Sequence, residues 1–435
     1  MKQILVLGGG AAGMAAAITA AQAAGKCAHV VLVEANPKLG KKLLATGNGR
    51  CNLANADIRP AWYFTSDEKR MAAMLESIRQ KADPVQWFVQ HGLFCREPDE
   101  AGRIYPYSNQ AADVAALLQH WLEAVGVEIL YESRVADLWM QGGRYQVKLE
   151  DSRTLSGQAV ICALGGSAGP QFGTDGFGGR LSHLLGLQTQ PEYPCLVPLY
   201  CEKAQVKGLA GIRVKGDVTL YAGNKPLRVE TGEVQFTDYG ISGIAVMQLS
   251  GLLRPGCNKD FSIGMNVFPQ METARLAEML GQRAAWLPGV TMTDYMTGLI
   301  HRKVGLAIYH RCSLGAENRP AASLSQAEWY QLARGFQDWR FTGLTPTGWK
   351  NAQTTGGGLA LAQLETDTFG LKSCPGLYFV GEMVDCAGSC GGFNLYWAFG
   401  SGILAGRAAA DLLLVDQPVR SSHSKSSNPK KQKRK

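Results

Sequence analysis

The sequence lacks any run of eighteen uncharged apolar residues, and its most apolar late stretch, 396–415, is broken by Arg407 and Asp411, which argues against a membrane-spanning helix. Charge is scarce too. Charged residues make up 18% of 435 positions against 46% apolar, a balance that excludes disorder as the main state and leaves apolar chain for two or three domains. There are no paired CxxC motifs to suggest zinc, and eleven cysteines, an odd number scattered from Cys27 to Cys390, fit reduced thiols better than a disulfide framework. The start shows no basic lead, apolar block and small-residue cleavage site; Ile4–Leu7 runs straight into glycine, so a soluble, cytoplasmic protein with no membrane partner is expected.

Acid is absent from residues 420–435, which hold Arg420, Lys425, Lys430, Lys431, Lys433, Arg434 and Lys435. Those seven cations account for most of the net charge of +8, and without them the remainder stands at +1. Residues 416–435 are expected to be a disordered basic tail that either binds polyanions loosely or only solubilises the chain.

Glycine is what the chain has in quantity, at 52 residues, and its placement is informative. Val6-Leu7-Gly8, Cys162-Ala163-Leu164-Gly165 and Phe379-Val380-Gly381 each read as a buried strand entering a glycine turn, and three such ends predict a parallel sheet. Between the first two lie a helical pattern, 111–124, and strand patterns at 128–131 and 145–149. From about Tyr193 short strands are predicted at 195–199, 214–221, 227–229 and 233–237, followed by helices over 243–253, 273–287 and 325–336, the last with Ser325 and Glu328 spaced as a capping box. The expected architecture is α/β: a two-part Rossmann-like cofactor domain, 1–190 and 341–415, interrupted by a β-rich, barrel-like and helical insert, 191–340.

Gly8, Gly10 and Gly13 form G-x-G-x-x-G between a strand and an alanine-rich helix that Gly25 ends. The first glycine permits the turn, the second lets backbone close on a pyrophosphate, and the third packs helix on strand. The next strand, 30–33, ends in Glu34, placed to accept from both hydroxyls of an adenosine ribose and unfavourable to a 2′-phosphate. Adenine dinucleotide binding follows. FAD fits better than NAD because a second grip exists: Glu382 after strand 377–380 can hold a ribityl chain, and Gly391-Gly392-Phe393-Asn394 can start a helix whose amides face the isoalloxazine.

On these residues, together with Lys41 through Asn52, Phe236 through Gly243, Thr354–Gly358 and Gly381 through Gly402, the sequence resembles a bacterial family of FAD-dependent flavoproteins known as NAD(P)/FAD-dependent oxidoreductases or aminoacetone-oxidase-like proteins. The resemblance spans nearly everything but the tail. It implies a flavin placed between Thr46–Asn52, Thr354–Gly358 and Gly391–Asn394, and with the motif above gives an expected cofactor set of Gly8, Gly10, Ala11, Ala12, Gly13 and Glu34, then Lys42, Thr46, Gly47, Asn48, Gly49 and Asn52. Val135, Gly165, Thr355, Gly381, Glu382, Gly391, Gly392, Phe393 and Asn394 complete it. Two positions depart from the family pattern, Ile244 where proline is common and Cys386-Ala387 at the expected flavin edge.

Flavin carries the electron transfer, so the protein must shield it and move a proton. Cys51, with Arg50 holding a carbonyl or anion, is a candidate acid; the alternative is a small buried thiol and an arginine tying its loop to backbone. Tyr239 is a second candidate against an ordinary turn residue. Cys386 and Cys390 lie too late in the chain for the dithiol of flavin disulfide reductases, and His183, His301 and His310 lack metal spacing, so no metal is expected. No second G-x-G-x-x-G follows a strand, so NADH or NADPH is expected to dock transiently. The resemblance implies reduction of an activated C=C bond, with relatives that act on a uridine of large-subunit ribosomal RNA or on unsaturated oxo bile acids. The basic tail favours ribosomal RNA, a small-molecule substrate being the alternative beside an amine oxidase-like enzyme and a flavin-binding protein without turnover.

Overall fold

The structure, a computed structural model, describes residues 2–256 and 260–415. The basic tail expected over 416–435 lies outside the described residues. Five strands, β1 (Lys2–Leu7), β2 (Ala28–Val33), β3 (Glu128–Leu130), β4 (Ala159–Cys162) and β5 (Leu377–Phe379), form a sheet in the order β5-β4-β1-β2-β3. Every pairing is parallel, as the three strand-to-glycine ends predict. Ile4 through Leu7 have no exposed surface, as a strand covered on both faces requires.

Helix α1 (Ala11–Ala24) follows β1, and α2 (Ala111–Ala124) precedes β3. The last helix, α3 (Phe393–Val415), packs along α1. Side chains on that seam are small for a geometric reason: a Cβ at Gly402 or Gly406 would lie 2.2 and 2.4 Å from the carbonyl oxygens of Ala12 and Ala16. The two ends of the chain therefore share one core, which runs from Ile4 to Leu181 and resumes from Leu359 to Leu413.

A second core, Leu199 to Phe341, belongs to the insert. Its sheet runs in the order 339–341, 261–266, 213–222, 225–236, 240–242, 199–200 and 345–346, with every pairing antiparallel. The two edge strands are joined by 342–344 alone. Such a connection reaches about 14 Å, whereas the edges of a flat seven-stranded sheet stand roughly 29 Å apart, so the sheet must curl towards closure. Helices Thr273–Trp286, Arg302–Arg311 and Gln326–Gln337 complete the insert, the last with both bonds of the Ser325–Glu328 capping box formed.

The chain enters and leaves the insert through one ribbon, Thr189–Cys195 paired antiparallel to Thr354–Leu359. A strand expected over 195–199 ends at Cys195, because Leu196 adopts φ +55° and turns the chain out of the ribbon into the insert. The strands expected at 227–229 and 233–237 are one strand, Lys225–Phe236, which passes through Gly232 opposite Gly216. The helix expected over 243–253 spans Ile244–Ser250.

Candidate functional site

A cleft of about 250 Å³ runs from the end of β2, over the start of α1, to the first turn of α3. At its centre is the glycine turn. Gly8 has φ +106° and a Cβ there would meet the Ala163 carbonyl oxygen at 2.3 Å; at Gly13 it would meet that of Gly8 at 1.8 Å. A Cβ at Gly10 would meet nothing within 4 Å, and no side chain caps the helix. The unused amides of the α1 N-terminus therefore face open space, an anion-binding arrangement.

At the β2 end the Glu34 carboxylate is held on both oxygens. Gly9 N donates to Oε2 at 2.7 Å, while Asn36 N and Nδ2 donate to Oε1 at 2.7 and 2.6 Å. Asn36 in turn accepts from Lys41 Nζ. Lys38, Arg134 and Val135 also line this end. The anchoring role of Asn36 had no signal in the glycine motif, since it depends on a side chain folding back two residues.

Across the cleft Lys42 Nζ pairs with Glu382 at 2.7 Å and donates to the Ala168 carbonyl, while Thr355 N donates to Glu382 Oε1. Glu382, expected to hold a ribityl chain, thus binds two protein donors and ties the first part of the cofactor domain to the second. Lys42, Glu382, Thr46, Gly165, Gly381 and Asn394 line the cleft together with Gly8, Gly10, Ala11, Ala12, Glu34 and Val135. Thr355 lies behind this wall, its Oγ1 accepting from Ala168 N, and Gly13 is buried beneath the glycine turn.

The structure does not bring the proposed acids to the cleft wall. Cys51 is fully buried, at φ +59°, and burial pushes its thiol up to about 12. Arg50 Nε donates to the Gly47 carbonyl at 3.0 Å and its guanidinium covers the Tyr105 ring, so this arginine ties its own loop together. Gly47, Asn48, Gly49 and Asn52 also sit outside the wall. Tyr239 packs on Tyr200 in the insert, with ring centroids 5.2 Å apart. Cys386 lines the cleft instead, its thiol raised well above its ordinary value by burial and then by the Asp385 carboxylate. Ser66 N and Oγ both donate to Asp385, which holds that loop.

At the α3 end, Asn394 accepts from Gly388 N and donates to the Gly388 carbonyl. Phe393 stacks on Trp62, with Gly391 and Gly392 entering the helix at φ +128° and +102°. The Asn52 Oδ1 beside Gly392 is buried without a hydrogen-bond partner. An elongated cleft, an open amide cradle at one helix start and an orphaned acceptor at the other fit a dinucleotide carrying a polar ring system. Among the described residues no group of three or more His, Cys, Asp or Glu is arranged for a metal, no helix is long and apolar enough to cross a membrane, and all ten cysteines are free thiols.

Fold and site define a FAD-dependent oxidoreductase. The chain belongs to the family described as HI0933-like protein Rossmann domain, which matches residues 2–408. It is 34% identical over 413 residues to a 3-dehydro-bile acid delta(4,6)-reductase of Clostridium scindens, covering 94% of this chain and 100% of that one. It is 27% identical over 415 residues to a ribosomal RNA dihydrouridine synthase of Escherichia coli, covering 94% and 97%. A solved 3-ketosteroid delta1-dehydrogenase from Sterolibacterium denitrificans shares the fold at a TM-score of 0.51 and 14% identity, covering 95% of this chain and 100% of that one.

Proposed function

We propose that the protein adds a hydride and a proton across a C=C bond conjugated to a carbonyl, with NADH or NADPH as reductant. One observation carries this reading: over nearly their whole lengths the bile-acid reductase and the dihydrouridine synthase are similar to this chain, and both names describe saturation of such a bond. The higher identity to the bile-acid enzyme favours a small unsaturated ketone as substrate. Ribosomal RNA is the second reading, favoured by the seven cations of 420–435. The free thiols agree with work in a reducing cytoplasm.

FAD, when bound, supplies the ring system through which the hydride passes. The chain does the rest. The α1 amides at Gly10 would hold the pyrophosphate, and Glu34, fixed by Asn36, would hold the adenosine end. The amides of the first turn of α3 would face the ring, with the buried, unpartnered Asn52 Oδ1 lying behind them next to Gly392. Cys386 Sγ, protonated at neutral pH, is the wall thiol placed to hand over a proton, whereas Cys51 Sγ is sealed in its loop.

The test is anaerobic. FAD-loaded protein should be bleached by NADH or NADPH and recoloured by a 3-oxo-4,6-diene bile acid, giving a product two hydrogens heavier. Recolouring instead by ribosomal RNA lacking one dihydrouridine selects the second reading. Bleaching by neither nicotinamide rejects both.

A further inference from the structure

The strand Lys225–Phe236 inverts the usual pattern. Its apolar residues Leu227 and Val229 are 39% and 55% exposed, while the side chains of Arg228 and Glu230, which alternate with them, are largely withdrawn from solvent. Side chains alternate across a strand, so the charged pair occupies the inward face. A desolvated pair is tolerated only where its polar atoms are satisfied. Here they are: Glu230 accepts from Arg228 Nε on Oε1 and from Gln248 Nε2 on Oε2, each at 2.5 Å.

What the pair faces lies outside the insert. The Arg228 guanidinium lies over the rings of Trp62 and Phe64, 5.4 and 5.7 Å from their centroids, and Nη1 donates to the Ala61 carbonyl at 3.4 Å. Trp62 stacks on Phe393, the first residue of α3, at 5.6 Å and 27°. The Trp62 carbonyl accepts from Ser389 N at 2.7 Å, and Phe64 pairs in register with Ala387. The Cys390 thiol is pushed up to about 12 by burial first and by the charge of the Glu230 carboxylate second. Cys390 Sγ contacts Gln353 Oε1 at 3.7 Å, and Gln353 lines the cleft.

An apolar contact would let the two units slide, whereas a fork bonded to Glu230 and a cation over two rings hold one position. We infer that Arg228 is a positioning residue: through Trp62 and Phe393 it sets where the insert lies against the start of α3, beside the cleft, and so bounds the slot that admits the reducible substrate. The inference rests on the proposed reaction only for the substrate that enters the slot.

The experiment uses the full chain with and without FAD, as wild type, Arg228→Met and Arg228→Lys. In Arg228→Met, hydrogen exchange at the Ser389 amide should quicken about tenfold with no change in the β1 and α1 amides, and KM for the dienone should rise about tenfold with kcat and FAD affinity within about twofold. Arg228→Lys keeps a cation over the rings but not the fork, so it should fall between. Unchanged exchange at Ser389, a fall in kcat at constant KM, or a lysine variant as impaired as the methionine one would each overturn the inference. If Arg228→Met does not fold, the lysine variant and its exchange pattern decide. If wild type turns over no dienone, the small-ketone reading is rejected while the exchange result still tests the hold of Arg228 on Trp62.

Discussion

Two glycine-rich loops border the cofactor domain, and they use their backbones in opposite ways. The turn from Gly8 to Gly13 commits its Gly8 and Gly9 amides to the Val33 carbonyl and to Glu34 but leaves those at the start of α1 facing open space, with Gly10 unobstructed. The loop from Thr46 to Asn52 turns inward: Gly47, Asn48, Gly49 and Cys51 all have positive φ, Arg50 bonds the Gly47 carbonyl, and Cys51 N donates to the Thr46 carbonyl. Both look like ligand loops as strings of letters. The difference is whether local groups consume one another's hydrogen-bonding capacity or leave it for something else.

The comparison breaks most easily at Gly13. Gly13→Ala drives a Cβ into the Gly8 carbonyl and should cost roughly 1–3 kcal/mol in thermal unfolding and abolish FAD retention, since neither backbone segment has room to move. An alanine variant that stays yellow and stable would show that the turn is looser than drawn. Gly10→Ala separates the two roles of the turn. Its Cβ meets no protein atom, so stability should hold while FAD affinity, read by fluorescence titration, falls about tenfold or more.

Alkali tests the buried thiols of the closed loop and of the chain entering α3. An unfolded thiol ionises at about 8.5, and the folded values at Cys51 and Cys390 rise to about 12. The folded state therefore holds protons that the unfolded state has released, so stability is complete below the unfolded value and is lost as pH climbs from there through the folded one. Chemical denaturation should show a decline beginning near pH 9; a midpoint still rising at pH 10 would contradict the burial of these thiols. Cys51→Ala should also leave the pH profile of turnover between 6 and 9 unchanged, where Cys386→Ala lowers the rate. Smallest of all, Ser325→Ala should remove the capping box of the insert at a cost of about 1 kcal/mol without altering FAD affinity.

How far the sequence could be read differs from element to element for physical reasons. Helix 111–124 and the capping box at Ser325 stand where local pattern puts them, because periodicity and capping involve residues a few positions apart. The strand expected over 195–199 fails, since a left-handed Leu196 is imposed by the need to leave one ribbon and enter another sheet. Gly8, Gly10, Glu34, Lys42 and Asn394 line the cleft, but Lys42 and Glu382 answer each other across 340 positions, a pairing no spacing rule reveals. Cys386 reaches the wall at the edge where the family pattern puts it, whereas Gln353 enters without any motif to announce it.

By itself the sequence determined the α/β class, the parallel strands ending in glycine and the dinucleotide turn, because each depends on backbone demands met within a few residues. Only the tertiary structure decided which thiol reaches the cleft, which carboxylate is already engaged and which arginine joins the two units, because those are settled by side chains that meet from distant parts of the chain.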